Sequence, residues 1–396
     1  PFFGNITYNL DVSLPHYSFT HNSYKYPTTH DFHKKHNIFI FYCITVEIMG
    51  EEVFRGQIYE NIMPQKLDLI DRKILYLLSR NARYSNTAIA KALKIKREVV
   101  AYRIKKMLDN KVINGFYTLI DTRKLGKFIH VVYMKLKTTS QEKEMLDLLV
   151  NTPHISAVHT CSGMYDLHFE ILTDDLEGFD RVFSIVLNQF REFVHDYIVL
   201  NFLREDSTGR GFLLDVQEVK DSNLHNFKEI KGSCFQKEFD QQNKEHFVVE
   251  VDKLDKRLLK LVNHNSRMTI REMADELGVV PSTIENRKRR LITNGVIKRF
   301  LPLINFSHFG VQWYVVFLYM KDLDENKLVS YLQNEPNTLW YKRFIGKWNY
   351  QINIFAESNT QFHDVLNNFR NSFADNLVNF ESIIMFNQHK LADNFE

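Results

Sequence analysis

The sequence predicts an α+β protein, a tandem repeat of a winged helix-turn-helix followed by a ferredoxin-like βαββαβ sheet domain. Three observations predict it. Long stretches of the chain return 183 or 184 residues later, the hydrophobic period within each copy changes from helical to alternating, and positive charge gathers on the helical part of both copies.

The repeat is read directly. "LDLIDRKILYLLSRNARYS" (67–85) returns as "VDKLDKRLLKLVNHNSRMT" (251–269), pairing Asp71 with Asp255, Asn81 with Asn265 and Arg83 with Arg267. "IKREVVAYRIKKMLDNKVINGF" (95–116) returns as "VVPSTIENRKRRLITNGVIKRF" (279–300), and "NTPHISAVHTCSGMYDLHFEI" (151–171) as "NEPNTLWYKRFIGKWNYQINI" (334–354). The expected domains are helix-turn-helix units at 65–120 and 249–304, sheet domains at 121–203 and 305–396, and a polar linker at 204–248. Residues 1–64 form an N-terminal extension with one apolar run, "IFIFYCITV". That run is too short for a membrane span, which needs about 20 residues, and translation is expected to begin at Met49 or Met63.

Each element follows from its own pattern. Leu67, Ile70, Ile74, Leu77 and Leu78 lie on one helical stripe, and Ser85 can cap a second helix ending at Leu93. A tight turn at 94–96 leads to a third helix with Val100, Ile104 and Met107 inward, and "VINGFYTLID" supplies the strand of the wing. Strands are then expected at 130–136, 155–161, 166–172 and 194–202, with helices at 142–151 and 179–190. The second module repeats the strands at 313–320, 339–345, 350–355 and 377–384.

Composition narrows the function. The 396 residues are 44% apolar and 25% charged, as in an ordinary globular protein, and carry a formal net charge of +3. Cys43, Cys161 and Cys234 lie far apart without a CxxC pair, which disfavours a disulfide scaffold or zinc cage and suits a reducing cytoplasm. No cofactor motif, metal-ligand spacing or catalytic constellation repeats between the modules, so no enzyme is expected. Residues 66–116 hold 13 Lys/Arg against 4 Asp/Glu, and residues 250–300 hold 12 against 7. The two segments sum to +14 in a chain of +3, so the remainder is negative. Such segregation is the footprint of phosphate binding, and double-stranded DNA is the expected partner.

On the third helix Arg97, Glu98, Ala101 and Tyr102 are expected to face bases, with Lys96, Arg103, Lys105 and Lys106 toward phosphate. In the second copy Ser282, Glu285 and Asn286 take the base-facing places, with Arg287, Arg289 and Arg290 toward the backbone and Thr283 a further DNA-binding candidate. Arg83 and Arg267 could contact phosphate or pair with Asp71 and Asp255 to fix the helices, and the structural role is the preferred reading. The bland alternative is a pair of solvated basic helices, which a second copy in the same setting disfavours.

These motifs, with "IDTRKLG" leading into the first sheet, resemble the Lrp/AsnC (feast/famine) family of transcriptional regulators. The resemblance covers about 67–202 and 249–386. It implies promoter binding by the helix-turn-helix and dimerisation and sensing of an amino acid or related metabolite by the sheets. It also implies self-association, within the chain or as a homo-oligomer. The family's Gly-x-Tyr-Asp turn falls on Gly163, Tyr165 and Asp166, and on Gly346, Trp348 and Asn349 in the second module. These six are the expected effector contacts, the Asp accepting from an ammonium group; the same residues could equally make a plain hairpin turn.

The chain also departs from the family. Lys94, Lys96 and Lys111 replace the usual Gly, Ser and Gly around the first recognition helix, and Lys288 takes the buried place of Ile104. Two rivals stay open. Sirohaem decarboxylases are similar in architecture, and His130, His154, His159 and His168 would be the residues to carry such chemistry; the other rival is a sensor or assembly protein that no longer binds DNA.

Overall fold

The computed structural model describes residues 66–207, 213–214, 224 and 247–391. The N-terminal extension with its apolar run and both candidate start methionines, together with most of the linker, lies outside the described residues.

Module one opens with α1 (Leu69–Arg80), α2 (Asn86–Leu93) and α3 (Arg97–Asp109), followed by β1 (Ile113–Ile120). Its sheet domain runs β2 (Phe128–Leu136), α4 (Glu142–Asn151), β3 (Ile155–Gly163), β4 (Leu167–Thr173), α5 (Leu176–Phe190) and β5 (Val194–Ser207). Module two repeats the order with α6 (Lys253–His264), α7 (Ile270–Leu277), α8 (Pro281–Thr293) and β6 (Ile297–Ile304). Then come β7 (Gln312–Met320), α9 (Glu325–Asn334), β8 (Thr338–Ile345), β9 (Tyr350–Ala356), α10 (Asn359–Ser372) and β10 (Leu377–Leu391). β5 runs past 203, the expected end of its domain.

The modules close on each other. Each four-stranded sheet has the ferredoxin-like order, β3-β4-β2-β5 in module one, and the two join edge to edge into a closed antiparallel barrel. β5 pairs with β8 at one seam and β10 with β3 at the other, so no barrel strand is left as an open edge. Tyr133 meets Phe317, its own counterpart at the 184-residue offset, ring to ring at 4.7 Å in the middle of this barrel. One face of each sheet packs on its helices, Phe169 with Phe183 in module one and Tyr314 with Phe362 in module two. The other faces meet inside the barrel, where Val131, Tyr133, Tyr165, Leu200, Phe317, Phe344 and Trp348 form one buried cluster.

The strand read as a wing does not fold back on its own helices. β1 pairs antiparallel with β6 of the other module, Tyr117 opposite Leu301. This ribbon lets both helix-turn-helix units share one core, in which Ile74, Leu77 and Val100 lie with Leu258, Ile284 and Phe300. Leu213, Leu214 and Leu224 of the linker are buried in the same core. Backbone bonds cross in reciprocal pairs: Ala82 N–H to Phe300 O and Ser266 N–H to Phe116 O, each 2.9 Å.

Candidate nucleic-acid interface

The helix-turn-helix builds its recognition helix from local rules. Asp68 caps α1 in a capping box with Asp71, and Ser85 caps α2 by accepting from the Ala88 N–H. Module two does the same with Asp252 and Thr269. The recognition helices differ from these four. Lys96 before α3 and Val280 before α8 offer no side-chain cap. Pro281 has no N–H to satisfy, and the Val99 and Thr283 N–H groups turn back to the Lys96 and Val280 carbonyls, so what an outside acceptor such as phosphate could take is the N–H groups ahead of these.

The turn before α3 carries strain. Lys94 and Lys111 sit at positive φ, 54° and 58°, where module two has Gly278 and Gly295 at 67° and 75°. A lysine there pays a backbone penalty that glycine does not.

On α3, Val100, Ile104 and Met107 are buried as expected. Lys96, Arg97, Glu98, Tyr102, Lys105 and Lys106 are exposed, Tyr102 to 66%, while Ala101 is half-covered. Lys96, Arg97, Lys105 and Lys106 have no side-chain hydrogen bond or ion pair among the described residues, leaving four exposed cations on α3 and at its N-cap. On α8, Ser282, Glu285, Asn286, Arg289 and Arg290 are exposed and Thr283 is half-covered, but Arg289 is bonded to Glu285 at 3.3 Å.

Three further residues assigned to phosphate are held by carboxylates at the start of the first helix of their module. Arg103 binds Asp68 and Asp71, each at 2.7 Å, and Arg287 binds Asp252 at 2.6 Å and Asp255 at 3.0 Å. Arg290 also bonds Asp255. The reason is position: the N-terminal turn of the first helix brings two carboxylates against the middle of the third. Arg103 and Arg287 therefore fix the recognition helix rather than extend its free cationic face.

Arg83 and Arg267 do not pair with Asp71 and Asp255, which Arg103 and Arg287 occupy. Each crosses to the other module. Arg83 donates to the carbonyls of Ser266 and Met268, the latter at 2.9 Å, and stacks over Phe300. Arg267 donates to Ala82 and Tyr84, the latter at 3.2 Å, and to Asn86 Oδ1, and stacks over Phe116. The spacing of the two recognition helices is thereby held by side chains as well as by the β1–β6 ribbon. A motif search misses this role because the partners are backbone carbonyls in the other module.

The expected effector residues lie at the barrel seams. Tyr165 and Trp348 are buried in the barrel interior. Asp166 accepts from the Leu136 N–H and from Lys135 Nζ, both at 2.8 Å, and Lys135 Nζ also donates to Gly163 O. The ammonium group expected from an effector is thus supplied by the chain itself. Asn349 makes the matching hairpin closure, exchanging bonds with both backbone groups of Met320. Gly346 sits at φ 151°, a conformation side chains rarely adopt, and a Cβ there would stand 2.8 Å from Leu200 Cδ2 and 3.3 Å from Val199 O across the seam.

The four histidines do not converge. His130 bonds Asn201 and packs at a tilt against Phe179 on the helix side of its sheet. His154 lies in the turn before β3, while His159 and His168 face the barrel interior with their Nδ1 atoms 3.0 Å apart. Among the described residues no group of three or more His, Cys, Asp or Glu is placed to hold a metal ion.

An AsnC-type helix-turn-helix domain model matches residues 67–108 and 251–292, the three-helix segment of each module. An uncharacterized HTH-type transcriptional regulator of Pyrococcus horikoshii is 31% identical over 134 residues, 33% of this chain and 87% of that protein. The chain belongs to the Lrp/AsnC family. The HTH-type transcriptional regulator LrpC of Bacillus subtilis is 26% identical over 120 residues, 30% of this chain and 83% of its own. Among solved structures the siroheme decarboxylase NirDL is similar across both modules, with TM-score 0.53 at 12% identity, covering 82% of this chain and 93% of that one. At that identity the likeness is one of fold. This Lrp/AsnC chain thus folds as two modules closed on each other. No helix among the described residues is long and apolar enough to cross a membrane.

Proposed function

We propose that this Lrp/AsnC chain binds double-stranded DNA through α3 and α8 as a built-in pseudo-dimer and reads an asymmetric site. The observation that carries the reading is the pair of uncapped recognition helices presented from one shared core. Their exposed residues differ: Arg97, Glu98 and Tyr102 in module one stand where Pro281, Ser282 and Asn286 stand in module two. A symmetric operator would therefore satisfy only one of its halves. With four cations on α3 and its N-cap that are unpaired among the described residues, against none on α8, module one supplies more of the phosphate contact.

Salt tests the reading. Each phosphate contact on duplex DNA contributes about −0.9 to the slope of log affinity against log salt. The exposed Lys96, Arg97, Lys105 and Lys106 alone then give a slope of about −3.6 or steeper. Binding to random-sequence duplex that does not change between low and moderate salt would return the chain to the class of sensors that have left DNA.

A second reading rests on the fold likeness to the siroheme decarboxylase together with His159 and His168 inside the barrel. Against it, those imidazoles are bonded to each other in a packed interior. Decarboxylation of added sirohaem by the purified chain would favour it.

A further inference from the structure

The barrel has two seams related by the repeat, and they are chemically unlike. At the β5–β8 seam, Lys342 of module two places its Nζ 2.7 Å from Glu170 and 3.6 Å from Glu205, both of module one. At the β10–β3 seam the equivalent places hold His159, Asn353 and Gln388. The equivalence follows from the register: Glu205 lies opposite Lys342, and Gln388 lies opposite His159. The charged trio is largely enclosed, with Lys342 and Glu170 side chains only 14% and 13% exposed.

We propose that Glu170, Glu205 and Lys342 form a pairing code that admits module one against module two and rejects like against like. The argument is one of substitution. Module one closed on a second module one would face Glu170 and Glu205 with His159 at both seams, two enclosed carboxylates without a lysine. Module two closed on a second module two would face Lys342 with Asn353 and Gln388, an enclosed ammonium without a carboxylate. An enclosed charge that loses its partner is strongly destabilising, whereas the pair itself contributes little net stability. Selectivity is therefore what such a pair supplies best.

Two further contacts reinforce the unlike pairing. Tyr133 Oη of module one donates to Gln351 Oε1 of module two at 2.9 Å, and its counterpart Phe317 has no hydroxyl to do so in return. Trp313 Nε1 of module two donates to Asn353 at 2.9 Å and packs edge-on against His159 of module one at 5.5 Å, where module one has Ile129 in the tryptophan's place. The occupant of each half-barrel is thus the unlike module, and single-module proteins of either type are excluded.

The test uses the full chain carrying Glu170→Lys, Lys342→Glu, or both. Each single change sets like charges against each other and is expected to lower the melting temperature by about 10 °C. The double exchange restores a pair of opposite charge and is expected to recover at least half of that loss. Co-expressed with different tags, the two single variants can satisfy each other only by exchanging modules, and they are expected to co-purify more than two wild-type copies do. Single variants as stable as wild type would overturn the code. So would a double variant no better than the worse single one, or single variants that co-purify no more than wild type. Should a single variant fail to accumulate alone, its recovery on co-expression with the other supplies the same answer.

Discussion

Arg83 and Arg267 hold equivalent places in the two modules, and each leaves its own module to donate to the backbone of the other. The carbonyls they serve lie in the turns between the first and second helices. The exchange therefore ties each helix-turn-helix to its neighbour at the point from which the recognition helix is aimed. Burial, and then the nearby Arg267, pull the Arg83 pKa down to about 10, so the contact stays charged throughout the neutral range.

Arg83→Ala removes a charged donor from two carbonyls at once. Urea denaturation is expected to show a loss of about 2–3 kcal/mol, with Arg267→Ala similar. Arg83→Lys should recover only part, since one ammonium replaces a planar fork. A loss below about 0.5 kcal/mol would mean that water serves the carbonyls equally well.

The two strained lysines give a test that leaves packing untouched. Lys94→Gly and Lys111→Gly are each expected to stabilise the chain by about 1 kcal/mol, relieving a left-handed side-chain conformation. The reverse change, Gly278→Lys, should destabilise by a similar amount although nothing lies within 4 Å of the Cβ it would add. Equal stability of Gly278→Lys and wild type would show that the turn relaxes.

Lys288 stands where module one has Ile104, and it is buried. Burial first, and then Arg83 from the other module, bring its pKa down to about 8 against a partial opposing pull from Glu285. Between that value and the ordinary lysine range the unfolded chain holds a proton that the folded chain gives up. Wild-type stability therefore rises with pH across that window. Lys288→Met is expected to stabilise by about 2–3 kcal/mol at pH 7, with the gain shrinking as pH rises toward 10. A gain that does not change with pH would assign the effect to packing instead of charge.

His159 and His168 are both held well below the ordinary histidine value, by burial first; for His159 the neighbouring His168 adds, and for His168 Lys342 does. Lys342 and His389 also act on His159 in the same direction, while Glu170 opposes them. A depressed histidine contributes stability that is complete above the unfolded value of about 6.5 and is lost as pH falls below it. Melting temperature is therefore expected to drop as pH falls below about 6.5, and His159→Gln/His168→Gln should flatten that drop. An unchanged acid profile in the double variant would place the acid sensitivity elsewhere.

The helices and strands were legible because their periods are local. The Ser85 cap and the Val100–Ile104–Met107 stripe both read within one or two turns. Partners at long range were not legible. "VINGFYTLID" reads as a strand but carries nothing that names β6 as its mate. His168 and Glu170 alternate with Leu167, Phe169 and Ile171, the pattern of a sheet with one wet face; barrel closure by the second module covers that face. In the interface, exposure on α3 followed from the stripe. The capture of Arg103 by Asp68 and Asp71 did not, since those partners lie 35 and 32 residues away.

The central claim is that two unlike recognition helices, held by one core, read two unlike half-sites. Selection of bound sequences from random duplex DNA by the full chain tests it most directly, repeated with Arg97→Ala/Tyr102→Ala. The account predicts an asymmetric site whose halves lie about one helical turn of 10–10.5 base pairs, or a multiple, apart, and loss of information from one half only in the variant. A perfect palindrome selected as strongly as any asymmetric site, or both halves degraded together by the module-one change, would contradict it.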